Sequence, residues 1–370
     1  MIERMTGRDG AITPVTAGPG GRGRLAAYTT VASALALLSD RRLGDLVAAG
    51  TPVGVGIGGS VVLVRVDDTP VFVKRIPLTD LERRPGNVMS TANLFQLPAF
   101  YQYGLGSAGF GAWRELAAHA MSTSWVLGSR CQGFPLLYHW RVLPAPAAAL
   151  PEELRDVDRA VGYWNGSPAV RARMEAIRQS AASIVLFLEY FPQNLDEWLA
   201  ARLADGGAAA DQACAMVERE LRTGVACMNS RGLLHCDAHF ENILTDGRRL
   251  YFADFGLATC SRFELSPAES GFLAEHASYD RCYTVTQLVY SLLAGLCGYG
   301  RADSDALVRE CAAGREPPSG LPEAAAAIMT RYAPLSAVMG KFCRQLRHES
   351  RTTPYPAAEL RLLERQLSLP

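Results

Sequence analysis

The sequence predicts an α+β fold, in which a small antiparallel sheet in the first half packs against a larger helical second half. Residues 51–76 are rich in Val, Ile and Phe, and the turn residues Asp67-Asp68-Thr69-Pro70 divide them into two strands. From about Leu195 onward helical patterns prevail, interrupted only by short strand-like runs at 242–244 and 250–253. Because strands and helices are segregated along the chain, we expect a cleft between the two halves.

The N-terminal half contains elements of several kinds. Residues 1–24 are rich in Gly, Arg, Thr and Pro, which predicts a mobile tail, and 25–50 are predicted to form a helical extension. Residues 77–112 are irregular and rich in Gly and aromatic residues, and a stretch of this length is often functional. After it the patterns predict a helix over Trp113–Ser124, a strand over Phe134–Leu143, a helical insertion over 144–183 and a buried strand over Ile184–Tyr190.

These elements predict a division of the chain into two lobes. The N-terminal lobe would cover 51–191, with insertions at 77–112 and 144–183, and the helical C-terminal lobe would cover 192–370.

Composition narrows the classes of function. Lys plus Arg equals Asp plus Glu, at 37 each, so the chain lacks the basic excess of proteins that coat nucleic acids or anchor to membranes through polybasic segments. The apolar run from Leu288 to Gly298 is too short to span a bilayer. The nine cysteines include no C-x-x-C pair, which predicts neither a disulfide framework nor a zinc knuckle and favours a reducing cytoplasm.

The residues with the clearest chemistry lie within 233–256, LLHCDAHFENILTDGRRLYFADFG. They include His235, Asp237, Asn242 and Asp254 in the order H-x-D-x-x-x-x-N…D-F-G. Phosphoryl transfer requires a carboxylate that orients the attacking hydroxyl, and hard oxygen ligands that hold Mg²⁺ on the phosphates. Asp237 can serve as that carboxylate, and Asn242 and Asp254 can serve as the magnesium ligands.

A glycine-rich hairpin and a lysine precede this segment. Residues 54–61, GVGIGGSV, match G-x-G-x-x-G-x-V, and glycines at such positions let the backbone approach phosphates closely. Lys74 follows on the apolar strand Val71-Phe72-Val73-Lys74, where a buried ammonium needs an anionic partner. We favour Glu115, at the start of a predicted helix, over Glu82 as that partner. The candidate phosphate-binding residues of the hairpin are Gly54, Gly56, Gly58, Gly59 and Ser60.

The order of these motifs over residues 54–256 resembles the protein-kinase superfamily. The resemblance implies a two-lobed protein-kinase-like fold that binds ATP and Mg²⁺, with Lys74 holding the phosphates and Asp237 acting as the base. It also implies that the Glu189 carbonyl and the Phe191 amide bind the adenine edge. Asp196 lies where ribose contacts are found in this superfamily, and Phe72 would stack on the adenine.

Two residues inside the motif point to one branch of the superfamily. Cys236 stands where protein kinases carry an arginine that pairs with a phosphorylated activation loop. His239 replaces a lysine, and H-x-D-x-H-x-x-N resembles the aminoglycoside phosphotransferase and choline kinase branch, which acts on small hydroxyl compounds. Asp280 fits the buried aspartate that opens the helix after the activation segment, only 26 residues beyond Asp254.

The predicted function is ATP-dependent transfer of a phosphoryl group to a hydroxyl, most readily that of a metabolite or antibiotic. A protein serine/threonine kinase is the first alternative, because Asp254-Phe255-Gly256-Leu257-Ala258 is typical of protein kinases. An ATP-binding pseudokinase scaffold is the second. A metal hydrolase that uses His235, Asp237 and His239 is a further one. The sequence leaves the acceptor and the oligomeric state open.

Overall fold

The computed structural model describes residues 21–56, 59–145 and 155–367, and it has an α+β fold with a small antiparallel sheet and many helices. Five strands form the main sheet in the order β1-β2-β3-β5-β4, and each neighbouring pair is antiparallel. These strands are β1 (Thr51–Gly56), β2 (Gly59–Val66), β3 (Thr69–Leu78), β4 (Leu137–Pro144) and β5 (Ala182–Glu189).

The helices before and between these strands are α1 (Gly21–Ala36), α2 (Asp40–Ala48), the short α3 (Asp80–Arg83), α4 (Ala112–Leu127), α5 (Val157–Tyr163) and α6 (Pro168–Arg178). The second half contains α7 (Leu195–Asp205), α8 (Gly207–Asn229), α9 (Pro267–Glu275), α10 (Tyr279–Cys297), α11 (Arg301–Ala312), α12 (Glu323–His348) and α13 (Ala357–Gln366). Its short strands are β6 (Gln193–Asn194), β7 (Leu233–Leu234), β8 (Ile243–Thr245), β9 (Leu250–Phe252) and β10 (Thr259–Cys260).

The sheet forms where the β-branched and apolar runs predict it. Asp67 and Asp68 both have positive φ, at 44° and 63°, which suits the tight turn between β2 and β3. Strand β5 is buried along its whole length, as expected for a central strand covered on both faces. Lys74 pairs with Leu186 on β5, so the lysine lies at the centre of the sheet.

The N-terminus corrects the sequence prediction. Helix α1 begins at Gly21, so residues 21–24 belong to a helix and not to the predicted tail. Arg24 is 5% exposed and makes a bidentate ion pair with Glu189, at 2.8 and 2.6 Å. Its guanidinium also donates to the Phe134 carbonyl at 2.7 Å. Arg24 therefore joins α1 to the end of β5 through Glu189 and to the residues before β4 through Phe134. The earlier residues of the predicted tail lie outside the described part of the chain.

The two predicted insertions pack against each other. We call residues 79–111 and 155–181 together the cap; residues 77 and 78 of the first insertion belong to β3. The cap has its own hydrophobic cluster, in which Tyr101 and Trp164 meet edge to face with ring centroids 4.7 Å apart. Residues 146–154 of the second insertion lie outside the described residues.

Buried charges join the cap to the rest of the chain. Glu82 accepts from Arg173 at 2.9 Å and from the Ala112 amide at 2.8 Å, so one carboxylate connects α3, α6 and the start of α4. Arg114 on α4 donates to Glu269 on α9 at 2.7 Å. Both ion pairs are almost fully buried, and removing one partner from such a pair is costly.

Two further predictions can be compared with the structure. Cys131 and Cys227 form a disulfide with Cα atoms 6.4 Å apart, a pair that the sequence prediction of no disulfide framework missed. The odd count and missing C-x-x-C motif could not show it, because the partners are 96 residues apart. No helix in the described part of the chain is long and apolar enough to cross a membrane.

Candidate active site

Lys74 is the centre of a charge cluster between the sheet and the helical half. Its Nζ lies 2.7 Å from Glu115 Oε1 on α4 and 2.8 Å from Asp254 Oδ1. Burial opposes the charge on the lysine, but the two carboxylates outweigh it and raise the Lys74 pKa above its ordinary value. Lys74 therefore stays protonated and holds Asp254 in place.

Asp254 is held in a conformation that non-glycine residues seldom adopt. Its φ is 59°, and its Oδ1 also accepts from the Gly256 amide at 3.3 Å. Lys74 outweighs the cost of partial burial and lowers the Asp254 pKa to about 2. The side chain keeps 41% of its exposure, so an ionised carboxylate opens into the cavity described below.

Phe255 anchors the same turn in the core. It is fully buried and meets the rings of His119 and His235 with centroids 4.9 and 5.3 Å away. Burial lowers the pKa of His119 to about 3, and neither of its ring nitrogens has a hydrogen-bond partner in the described chain. His119 is therefore a neutral packing residue.

The loop that carries Asp237 is fixed from below by Asp280. This buried carboxylate, in the first turn of α10, accepts from the amides of His235 and Cys236 at 2.7 and 3.0 Å. Cys236 has a φ of 63°, a second left-handed residue in the site. The His235 ring is hydrogen-bonded to the Ala253 carbonyl at 2.8 Å, which joins this loop to the Asp-Phe-Gly turn.

Asp237 and Asn242 face each other across this loop. The Asn242 amide nitrogen donates to the Asp237 carbonyl at 3.0 Å and to its Oδ2 at 3.3 Å, leaving the Asn242 amide oxygen for another partner. Burial and the nearby charge of Asp254 raise the Asp237 pKa well above its ordinary value. His239 Nε2 lies 3.8 Å from Asp237 Oδ2.

A cavity of about 400 Å³ brings these residues together. Asp237, Asn242, Asp254 and Glu115 line one side of it, and cap residues 104–111 line the other. The volume falls within the range of small-molecule sites in proteins. The cavity therefore combines two acidic side chains with unused oxygens, a fixed ammonium nearby and a backbone wall.

The cap approaches the reactive groups directly. A β-carbon built on Gly104 would lie 1.9 Å from Asp237 Oδ1, and one built on Gly109 would lie 2.5 Å from the Gly256 carbonyl oxygen. Gln102 also donates its side-chain amide to the Leu257 carbonyl. Only glycine allows the backbone this close, so the cap is built to sit against this site.

The described residues of the predicted glycine hairpin form the end of β1 and the start of β2. Gly56 pairs with Gly59 and Ser60 pairs with Arg75, whereas Gly58 lies outside the described residues. Gly59 has a φ of 126°, and a β-carbon there would meet the Arg75 carbonyl, so this glycine is needed for strand pairing. A β-carbon on Gly54 would meet nothing within 4 Å. None of the described hairpin residues lines the 400 Å³ cavity.

The residues predicted to bind a nucleoside differ in their burial and in their contacts. Phe72 is half-buried on the same strand as Lys74, two positions away and so on the same face. The Glu189 side chain is occupied by Arg24. Phe191 stacks on Tyr251 with ring centroids 4.0 Å apart. Asp196 is exposed in the first turn of α7 and does not line the cavity.

Some residues of the site escaped the sequence reasoning. Gly104 and Arg173 line the cavity from the two insertions, and Glu82 holds Arg173 instead of Lys74. One available signal was the run GLGSAGFG at 104–111, a second G-x-G-x-x-G pattern directly before a helix. Nothing local in the sequence marks the pairing of Arg173 with Glu82, which lie 91 residues apart.

The metal-hydrolase alternative requires a cluster of side chains that could hold a metal ion. Within the described ranges, no group of three or more His, Cys, Asp and Glu side chains could hold a metal ion. The His235 ring is already hydrogen-bonded to a carbonyl beneath the loop. Neither a protein-family model nor a curated protein matches this chain.

Proposed function

We propose that this protein is an ATP-dependent phosphotransferase with a two-lobed, protein-kinase-like fold, which transfers a phosphoryl group to the hydroxyl of a small molecule. The observation that supports it best is the convergence of Glu115, Asp254, Asn242 and Asp237 on one cavity, with Lys74 paired to Glu115 and Asp254. These are the groups that phosphoryl transfer requires: a fixed cation, oxygen ligands for a metal and a carboxylate base.

In the proposed reaction Asp237 orients the acceptor hydroxyl and takes its proton. The acceptor oxygen forms a bond to the γ-phosphorus while the bond from that phosphorus to the ADP oxygen breaks. The raised Asp237 pKa suits a group that must accept a proton near neutral pH. Lys74 holds the phosphates. The glycine hairpin with Gly54, Gly56, Gly58, Gly59 and Ser60 stays a proposed phosphate contact on the resemblance alone, because its described residues do not line the cavity.

The donor set fits Mg²⁺. The Asn242 amide nitrogen is used by Asp237, so the Asn242 oxygen is free to bind a cation, and Asp254 is ionised and partly exposed. Hard oxygen ligands of this kind suit Mg²⁺, which when bound would neutralise charge on the phosphates. Glu189, Phe191, Phe72 and Asp196 remain the proposed contacts for the nucleoside.

The cap favours a small acceptor over a protein. In the segment that follows Asp254, Leu257 accepts from Gln102, Glu264 accepts from Ser90 at 2.7 Å and His276 bonds to the Tyr103 hydroxyl at 2.6 Å. A peptide acceptor would need an exposed platform along this segment, and the cap occupies it. A small molecule needs only the cavity.

The test is incubation of the purified chain with Mg²⁺, γ-labelled ATP and a panel of hydroxylated small molecules and generic proteins. We expect label on a small molecule, and Asp237→Asn should abolish transfer while ATP still binds. Label on protein alone would support a protein kinase. Binding of Mg-ATP in a thermal-shift assay without any turnover would support the pseudokinase. Wild-type turnover in Asp237→Asn would contradict the assignment of the base.

A further inference from the structure

A second cavity lies on the other side of Gly104 from the first. It has a volume of about 100 Å³ and is lined by cap residues 103–105 and by side chains of α10, α11 and α12. Gly104 lines both cavities, and a β-carbon built on it would lie 1.9 Å from Asp237 Oδ1, so this glycine stands between the second cavity and the proposed base. Asp237 itself lines only the first cavity, so an acceptor held in the second cavity must reach Asp237 past Gly104.

The charge of this second cavity is positive. Arg301, Arg344 and Arg347 line it together with one carboxylate, Asp305, which leaves an excess of two positive charges. Asp305 is shared between Arg344 at 2.8 Å and Arg301 at 3.5 Å. Arg347 forms no ion pair with any carboxylate in the described chain, so its guanidinium is available to an anion.

The remaining wall is aromatic. Tyr279 and Tyr283 stack with ring centroids 5.5 Å apart, and Arg301 lies 3.9 Å above the ring of Tyr290. Burial, with a smaller contribution from the charge of Asp237, raises the pKa of Tyr283. Phenol hydroxyls beside guanidinium groups provide both hydrogen bonds and charge for an acidic group.

Resting on the proposed function, we infer that the acceptor is a compact hydroxylated compound with a carboxylate or phosphate group, which Arg344 and Arg347 bind while its hydroxyl faces Asp237. Three arginines at one wall also disfavour polycationic acceptors, because like charges repel. Aminoglycosides are such polycations. The second cavity thus divides the candidate acceptors by charge.

The structural alternative is that these arginines only hold α11 against α12. The ion pair of Asp305 with Arg344 does join those helices. It does not account for Arg347, which is exposed at the cavity rim and pairs with no carboxylate of the described residues. If the arginines serve only to join the helices, neutralising Asp305 should lower both the stability of the protein and its affinity for an anion. If they form an anion site, neutralising Asp305 should raise the affinity for an anion.

The first experiment measures binding without relying on turnover. Inorganic phosphate is titrated by calorimetry into the full chain with saturating Mg-ADP. Arg344→Gln combined with Arg347→Gln should weaken phosphate binding by about ten-fold or more, because two charge-assisted contacts are lost. Asp305→Asn should strengthen it, a direction that local unfolding cannot produce. Lys341→Gln, an exposed change on α12 away from the cavity, should leave it unchanged.

The second experiment distinguishes the two acidic groups. Hydroxy acids, sugar phosphates and their neutral ester or dephosphorylated counterparts are compared as acceptors in the labelled-ATP assay. We expect turnover with one of the acidic classes and at least about ten-fold less with its neutral counterpart.

Two results would overturn the inference. One is phosphate binding that is absent or unaffected by the arginine and aspartate changes, and the other is turnover confined to neutral or cationic acceptors. Arginine-dependent phosphate binding in a chain that never turns over ATP would retain the anion site and contradict the phosphotransferase proposal.

Discussion

Substituting Gly104 with alanine tests whether the cap lies against the proposed base in the working protein. A β-carbon at this position would lie 1.9 Å from Asp237 Oδ1 and 2.7 Å from its Cγ. Real β-carbons do not approach other heavy atoms within 3.0 Å, so the two groups must separate by about 1.1 Å. The substitution therefore displaces either the loop or the carboxylate.

Neither the loop that carries Gly104 nor the Asp237 carboxylate can move without disturbing its other contacts. Asn242 fixes Asp237, and the neighbouring Tyr103 is held by a 2.6 Å hydrogen bond to His276 and by ring contacts with Phe272 and Phe342. A displacement of about 1 Å at a reacting group can reduce the rate by about 100-fold, or about 2.7 kcal/mol in the activation barrier. We expect kcat to fall by about that factor.

The assay compares kcat with the affinity for Mg-ATP. The three atoms nearest to a β-carbon on Gly104 all belong to Asp237, so Gly104→Ala should bind the nucleotide as the wild type does. Gly86→Ala is the matched control, because it lies in the same insertion and a β-carbon there meets nothing within 4 Å. An unchanged or increased kcat in Gly104→Ala would refute the reasoning, because the loop could then not rest on Asp237 during turnover.

Three further substitutions test individual ionisable side chains. Arg24→Met should lower the free energy of unfolding by about 3–5 kcal/mol in urea titrations, because it leaves a buried carboxylate unpaired, whereas the exposed Arg83→Met should change it by about 1 kcal/mol or less. Asp237→Asn should raise Tm at pH 8. The pKa of Asp237 is higher in the folded state than in the unfolded state, so the folded wild type loses stability as pH rises above 3.8. The advantage in Tm of Asp237→Asn over the wild type should therefore shrink at pH 4. His119→Leu should keep or raise Tm, because it removes two buried ring nitrogens without partners, and a buried polar group without a partner costs about 1–3 kcal/mol. A clear decrease in Tm would mean that His119 has a bound partner.

Much of the fold was predictable because it depends on local patterns. The turn at Asp67-Asp68 and the apolar run of β5 combine short-range composition with backbone preferences, and both form within two residues of the predicted positions. The cluster around Lys74 was predictable in a different way, because the order of several separate motifs resembles a known superfamily and that resemblance implies which residues meet. The functional meaning of that cluster stays a prediction.

What could not be predicted depends on contacts between distant residues. Arg24 meets Glu189 across 165 positions, so composition assigned it to a mobile tail although an ion pair holds it. Tyr101 packs on Trp164 in the same way, and each insertion alone looks irregular or merely helical. Gly104 was part of a glycine-rich stretch whose target, the Asp237 carboxylate, is visible only in three dimensions.

The separate hydrophobic cluster of the cap has a consequence for how an acceptor enters. Tyr101, Trp164 and their neighbours form a hydrophobic cluster of their own, although Tyr103 of the cap packs in the main core. We therefore expect this part of the cap to open locally more readily than the sheet and the helical half. Arg173 and Glu82 join its two pieces, so they should move as one body. Amide protons of 155–181 would then exchange together with those of 79–111, at a rate set by this small cluster and not by global stability.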